Sequence, residues 1–389
     1  MIDKDFKLEQ MYIRKNISKS RKIQYRRVFK RIYELTGYTP TALLEIARDE
    51  QKPKLINNQI EYKELEDRTI TKIQYQLYSH LNNDLQLKPA TIKSELSIYR
   101  AFLNEYDIQL PKNINIRLNQ PLYEDGDLPK KEHILQAVKS TNSKRNKALF
   151  YFMSSSGIRP IDVRNFKIKD WIKACDYYSE KENPTLNDLL EMDYSNWIPC
   201  FYFKPQKTSN FNNICCTFCS TEATVSIMDY LKSRHIKSDE EYLFSSRGTG
   251  NQLAQTSFIT LFQRLNDKEF GTNKYGDRFF QPKYLRKYFI TTCNRHSGDL
   301  LKVRLLAGHS LTDIDRAYNE ISIPVMRRFY TSLLPYLSLN DTSVKTVKSK
   351  EYLDLERKLQ KQEEENRKLQ DELDERINSA IFNVLERYK

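Results

Sequence analysis

The chain has 389 residues, enough for two modest domains and an appendage, and a net charge of +13. That surplus of cations suggests a polyanionic partner, although a ribosome-like or membrane-surface partner fits the composition equally well. No apolar run is long enough to span a bilayer, and the N-terminal MIDKDFKLEQ is too polar for a signal peptide, so an intracellular (cytoplasmic) protein is expected.

From Arg14 to Tyr33 there are nine basic residues and no acidic one. Tyr25, Val28, Phe29 and Ile32 recur at helical spacing, which buries one face and leaves Arg21, Lys22, Arg26, Arg27 and Lys30 pointing elsewhere. Unbroken like charge on a helix is destabilising unless neutralised, so these five are read as a face lying along phosphates. Thr39-Pro40-Thr41 opens a helix to about Glu50, and a polar loop follows through Gln59. A long helical pattern runs from about Tyr62 to Leu81. A fourth helix starts at Pro89, carries Ile92, Leu96, Tyr99 and Leu103 on one stripe, and is expected to end at Pro111. The stretch 112–127, with Pro, Asn and Gly and no clear period, reads as a linker.

A second domain is expected over 128–337. Helices are predicted near Lys131–Val138 and Arg145–Ser154, followed by Ser156-Gly157-Ile158-Arg159-Pro160-Ile161-Asp162. The glycine allows a tight helix end that exposes Arg159, Pro160 suits a first helical turn, and Asp162 one turn on can pair with an arginine. Two β-prone runs, Trp197–Phe203 and Ile214–Cys219, flank a polar turn carrying Lys207 and, earlier, Lys204. Cys216-Thr217-Phe218-Cys219 is a lone C-x-x-C without a second pair; zinc is the alternative, and reduced strand cysteines with no metal are the favoured reading. Further helices are predicted over Thr221–Arg234 and Thr256–Leu265.

The stretch Gln281–Glu320 concentrates the chemistry. Lys283 and Arg286 are spaced to lie one turn apart on a helix. Gly308 stops the helical run Leu300–Ala307, His309 follows at the turn, and Tyr318 comes nine residues after the histidine. Two cations, an imidazole and a tyrosine hydroxyl can converge on a phosphodiester, the cations on its non-bridging oxygens and the hydroxyl on phosphorus. Beyond it, the helical run Ile323–Leu337 holds Tyr330, a rival nucleophile at the wrong distance from His309 and with apolar neighbours. After a polar linker, 338–349, the segment 350–389 reads as one helix. Tyr352, Leu355, Leu359, Leu369 and Leu373 fall on heptad positions, and from Glu351 it has eight Lys/Arg against eleven Asp/Glu.

Lys283-x-x-Arg286, Leu306-Ala307-Gly308-His309 and Tyr318, preceded by Ser156-Gly157-Ile158-Arg159 and the hairpin Lys207, resemble the active-site boxes of the tyrosine recombinase (phage integrase) family, with a tail similar to that of archaeal integrase-like members. The resemblance spans nearly all of 128–337, in order. It implies a mainly α fold with a small antiparallel β-hairpin (α+β): a helical core-binding domain over 1–111, a catalytic domain over 128–337, and a C-terminal coiled-coil helix. It implies a site-specific recombinase acting on double-stranded DNA through a 3′-phosphotyrosyl intermediate, with Arg159, Lys207, Lys283, Arg286, His309 and Tyr318 catalytic and Tyr318 the nucleophile. Asp162 supports them, no cofactor is needed, and a tetramer on DNA is the working assembly, with 350–389 able to dimerise. The family more often has His at the position of Lys283, which leaves the general base open. The alternatives are a type IB topoisomerase-like enzyme and a DNA-binding protein with a decayed site.

Overall fold

The structure, a computed structural model, describes residues 4–56, 59–118, 124, 126–207, 213–246, 249–309 and 322–340, together with 362, 365 and 367. The chain divides into two compact units, Met1–Leu122 and Tyr123–Lys389. The described residues are mostly helical, with two small antiparallel sheets.

The first unit holds α1 (Phe6–Arg14), α2 (Lys19–Thr36), α3 (Pro40–Gln51), α4 (Thr69–Ser79) and α5 (Pro89–Glu105). Thr39 caps α3 through its hydroxyl, and Pro40 occupies the first turn, where a missing N–H costs nothing. The predicted stripes face inward: Tyr25, Val28, Phe29 and Ile32 of α2 and Ile92, Leu96, Tyr99 and Leu103 of α5 are all buried. The Phe29 and Phe102 rings meet edge-on at 4.5 Å, and the Tyr99 hydroxyl donates to the Ile70 carbonyl.

Three expectations for this unit fail. The polar loop after α3 contains a hairpin, β1 (Lys54–Ile56) paired with β2 (Gln59–Glu61). Leu55 and Ile60 lie opposite each other and are both exposed, so no burial pattern announces the strands. The Tyr62–Leu81 pattern is not one helix: Leu65–Asp67 is a single 3-10 turn, Arg68 is extended, α4 starts only at Thr69, and the chain widens into a π-turn over His80–Asp84. Buried Arg68 causes the break, because its Nε donates to the Lys63 carbonyl and its Nη1 to Gln109. Finally, α5 ends at Glu105 rather than Pro111. Asp107 takes a positive φ of 57°, turning the chain so that Ile108, Leu110, Ile114 and Ile116 pack on the unit's own core.

The second unit contains α6 (Lys131–Lys139), α7 (Lys144–Ser156), α8 (Pro160–Asn165), α9 (Ile168–Cys175), α10 (Leu186–Glu191), α11 (Thr221–Lys232), α12 (Gln255–Glu269), α13 (Pro282–Ser297), α14 (Leu300–Leu306) and α15 (Ile323–Leu337). The second hairpin pairs β3 (Cys200–Phe203) with β4 (Cys215–Phe218), Cys200 opposite Phe218. Helix α7 is central and packs on α6, α11 and α13. An aromatic core of Phe152, Trp171, Phe201 and Phe244 lies on one side. Phe218, Phe289, Leu306, Tyr330 and Leu333 form a second cluster beneath the hairpin. Five cysteines are buried, the sixth, Cys200, is half-buried, and all are free thiols. Among the described residues, no helix is long and apolar enough to cross a membrane.

Candidate active site

Two glycine turns build the centre. Gly157 ends α7 at φ +62°, and a Cβ there would come within 2.1 Å of the Phe289 ring. Gly308 follows α14 at φ +59°, and a Cβ there would meet the Cβ of Cys215 at 2.8 Å. At both positions the left-handed backbone and the close approach call for glycine. The carbonyl of each turn accepts from an arginine. Arg159, the residue just before α8, donates through Nη2 to the Gly308 carbonyl at 2.8 Å, and Arg286, on α13, donates through Nη1 to the Gly157 carbonyl at 2.6 Å.

The electrostatics follow from this crowding. Burial, then the Arg159 charge beside it, push the Arg286 guanidinium down to about 10, so it stays protonated at neutral pH. Its Nη2 is buried with no hydrogen-bond partner among the described residues. A desolvated cationic donor without an acceptor is costly unless an anion arrives to use it. His309 has its backbone N–H on the Arg304 carbonyl. Burial first, then Arg286, Arg159 and Arg304, hold its imidazole down at about 4, hence neutral at physiological pH.

Arg159 also lines a cleft of about 880 Å³ together with Lys207 and Lys283. Lys207 is exposed at the end of β3's turn and makes no ion pair among the described residues. Lys283, one turn before Arg286 on α13, is half-exposed and lies 3.9 Å from Asp277. The structure therefore brings Arg159, Lys207, Lys283, Arg286 and His309 into one neighbourhood. Tyr318 lies outside the described residues, as does most of 350–389. Tyr330 is fully buried and donates to the Ser155 carbonyl at 2.8 Å, so it is packing and not a nucleophile.

Asp162 departs from its expected role. It is buried, but no ion pair joins it to either arginine among the described residues. Its Oδ1 instead accepts the backbone N–H of Gln206 at 2.8 Å. Burial pushes its carboxyl above the usual range, partly offset by that hydrogen bond and by Arg159 and Arg286. Sequence reasoning missed Arg164 and Arg278, which also line the cleft. Both are engaged, Arg164 on the Leu253 carbonyl and Arg278 bidentate on Asp267. No local pattern sets either apart from an ordinary surface arginine.

In the first unit, the five cations of α2 are less available than the sequence suggested. Arg26 pairs with Glu9 at 3.1 Å, Arg27 with Glu95 at 3.1 Å, and Lys30 with Glu34 at 3.8 Å. Glu95, 1% exposed, also holds Arg31, a helix neighbour the sequence reading passed over. Arg21 and Lys22 lie over the Tyr25 and Tyr12 rings at 5.4 and 5.2 Å. The neutralisation that the like charges require is thus largely supplied by the chain's own carboxylates.

No family model matches the sequence, and comparison with curated proteins gives no match. Solved structures do match. A Tn1549 transposon integrase in complex with transposon right end DNA is 12% identical, with 83% of this chain and 96% of that one covered and a TM-score of 0.50. The XerA recombinase (16% identical, 84% and 95% covered, TM-score 0.34) and a lambda integrase dimer bound to a core site (13%, 81% and 96%, 0.44) are more distant in shape. The likeness is one of fold, and on it the chain has the architecture of the tyrosine recombinases and integrases.

Proposed function

We propose that this protein is a site-specific DNA recombinase that cleaves and rejoins duplex DNA through a 3′-phosphotyrosyl intermediate, in the integration or excision of a mobile element. The observation that carries this reading is the pair of arginines bonded to the Gly157 and Gly308 carbonyls, one with a buried donor lacking an acceptor among the described residues, beside a cleft bearing two lysines. A phosphodiester supplies the missing acceptor. Guanidinium remains charged and donates from two nitrogens, which suits charge developing on the non-bridging oxygens.

Tyr318 is the proposed nucleophile. Its oxygen bonds to phosphorus, the P–O5′ bond breaks, and its hydroxyl must shed a proton as it attacks. Lys207 gives a proton to the departing 5′-oxygen. Neutral His309 can donate from one ring nitrogen to a non-bridging oxygen, and Lys283 adds positive charge at the cleft. Attack by a partner strand's 5′-hydroxyl reverses the bond changes, so the phosphodiester's energy is conserved without cofactor. Strand exchange between two duplexes needs four protomers, and the heptad pattern of 350–389 supports self-association. Such an enzyme works at the nucleoid.

Covalent trapping tests the reading. The protein is incubated with sheared host DNA, stopped with SDS, and the protein-linked ends are sequenced, with Tyr318→Phe alongside. Adducts at one discrete sequence, absent from the variant, are expected. Adducts scattered over all sequences would instead indicate a topoisomerase-like enzyme. DNA binding with no adduct from either protein would reject phosphotyrosyl chemistry.

A further inference from the structure

The helix that follows Arg159 also grips the residue before Lys207. Asp162, the third residue of α8, accepts the Gln206 backbone N–H at 2.8 Å, and Asn165, its last residue, donates through Nδ2 to the Gln206 side-chain carbonyl at 2.6 Å. Gln252 in turn donates to Asn165 Oδ1, fixing which way that amide faces. On the other side, Pro205 is buried against the Gly308 turn, its Cγ 3.3 Å from where a glycine Cβ would stand. The segment 205–206 is therefore held from α8 and from the turn that receives Arg159.

Asp162 is an expensive way to make one hydrogen bond. The residue is 4% exposed, and its Oδ2 has no partner among the described residues. A neutral acceptor would satisfy the Gln206 N–H without burying a charge. A carboxylate gives a stronger, charge-assisted bond at that one place. The cost is explained if the position of the next residue, Lys207, matters more than the stability of the turn.

We infer that Asp162 and Asn165 are positioning residues, and that α8 is a bracket setting the Lys207 ammonium at a fixed distance from the Arg159 guanidinium, so that one can protonate the leaving oxygen while the other holds the phosphate. This rests on the reading of Lys207 as the proton donor. Misplacing a proton donor by about 1 Å can cost 10²-fold in rate.

The test changes the leaving group. A duplex carrying the cleavage sequence recovered by trapping is made with either the natural 5′-oxygen or a bridging 5′-sulfur at the scissile phosphate. Oxygen must take a proton as its bond to phosphorus breaks. Sulfur departs as the thiolate, because a thiol's pKa is only about 8.5. Single-turnover cleavage is measured for Lys207→Ala, Asp162→Ala, Asn165→Ala and Arg159→Ala. With oxygen, Lys207→Ala should lose about 10²-fold or more, and the two α8 variants roughly 10- to 100-fold. With sulfur, those three should return to within a few-fold of wild type, while Arg159→Ala stays slow. Asn165→Ala keeps the inference testable if Asp162→Ala fails to fold. Equal slowing of the α8 variants on both substrates, with Lys207→Ala rescued, would overturn the bracket. If Lys207→Ala is itself not rescued, the proton-donor reading fails first and the bracket falls with it.

Discussion

At the scale of single residues, the site is a compromise between stability and readiness. Burial first, and then the nearby guanidiniums of Arg286, Arg159 and Arg304, hold the imidazole of His309 down at about 4. The sign of the resulting pH dependence is fixed. Between about pH 4 and the ordinary histidine value near 6.5, the unfolded chain binds a proton at this position that the folded chain refuses. His309's contribution to stability is therefore whole above pH 6.5 and is lost as the pH falls toward 4. Urea midpoints at pH 7 and pH 5 should drop further for the wild type than for His309→Gln. An equal drop would show that neither burial nor the arginines depress this ring. Arg159, Arg286 and His309 were legible as residues because each sits in a short local pattern. Asp162's partner was not. The sequence offers an arginine three positions away, yet α8 begins only after Arg159, which points across to Gly308. The carboxylate then meets an amide forty-four positions further on.

At the scale of elements, the glycine turns decide whether the helices can meet. Gly157 lets α7 end against α13, and the same turn hands its carbonyl to Arg286. Gly157→Ala adds a left-handed β-carbon, about 1–2 kcal/mol, and a steric collision with Phe289 worth about 1–3 kcal/mol. A loss of roughly 2–5 kcal/mol in denaturant unfolding is expected, with cleavage falling as Arg286 shifts; an unchanged midpoint would mean that the two helices have slack between them. The helices that bury a stripe were readable from their period, as in α2 and α5. The ends were harder. Arg68 breaks the expected helix before α4 through bonds to Lys63 and Gln109, and the β1–β2 hairpin buries nothing that could mark it.

At the scale of the whole molecule, the chain divides into two compact units, Met1–Leu122 and Tyr123–Lys389. Removing everything after Ser349 should lower the mass of the oligomer measured by light scattering, with and without DNA. Unchanged assemblies in both conditions would remove self-association from the role of 350–389. Sequence alone determined the helical character, the inward stripes, the glycines, and the identity and order of the cationic residues, because all of these are written in local spacing and in side-chain chemistry. Tertiary structure decided which groups meet. It gave most α2 cations partners within their own unit, withdrew Tyr330 into the core, left a donor of Arg286 without an acceptor among the described residues, and turned Asp162 toward the lysine hairpin. Burial, and the charges that converge from distant parts of the chain, set those outcomes, and neither can be read from any stretch of residues taken by itself.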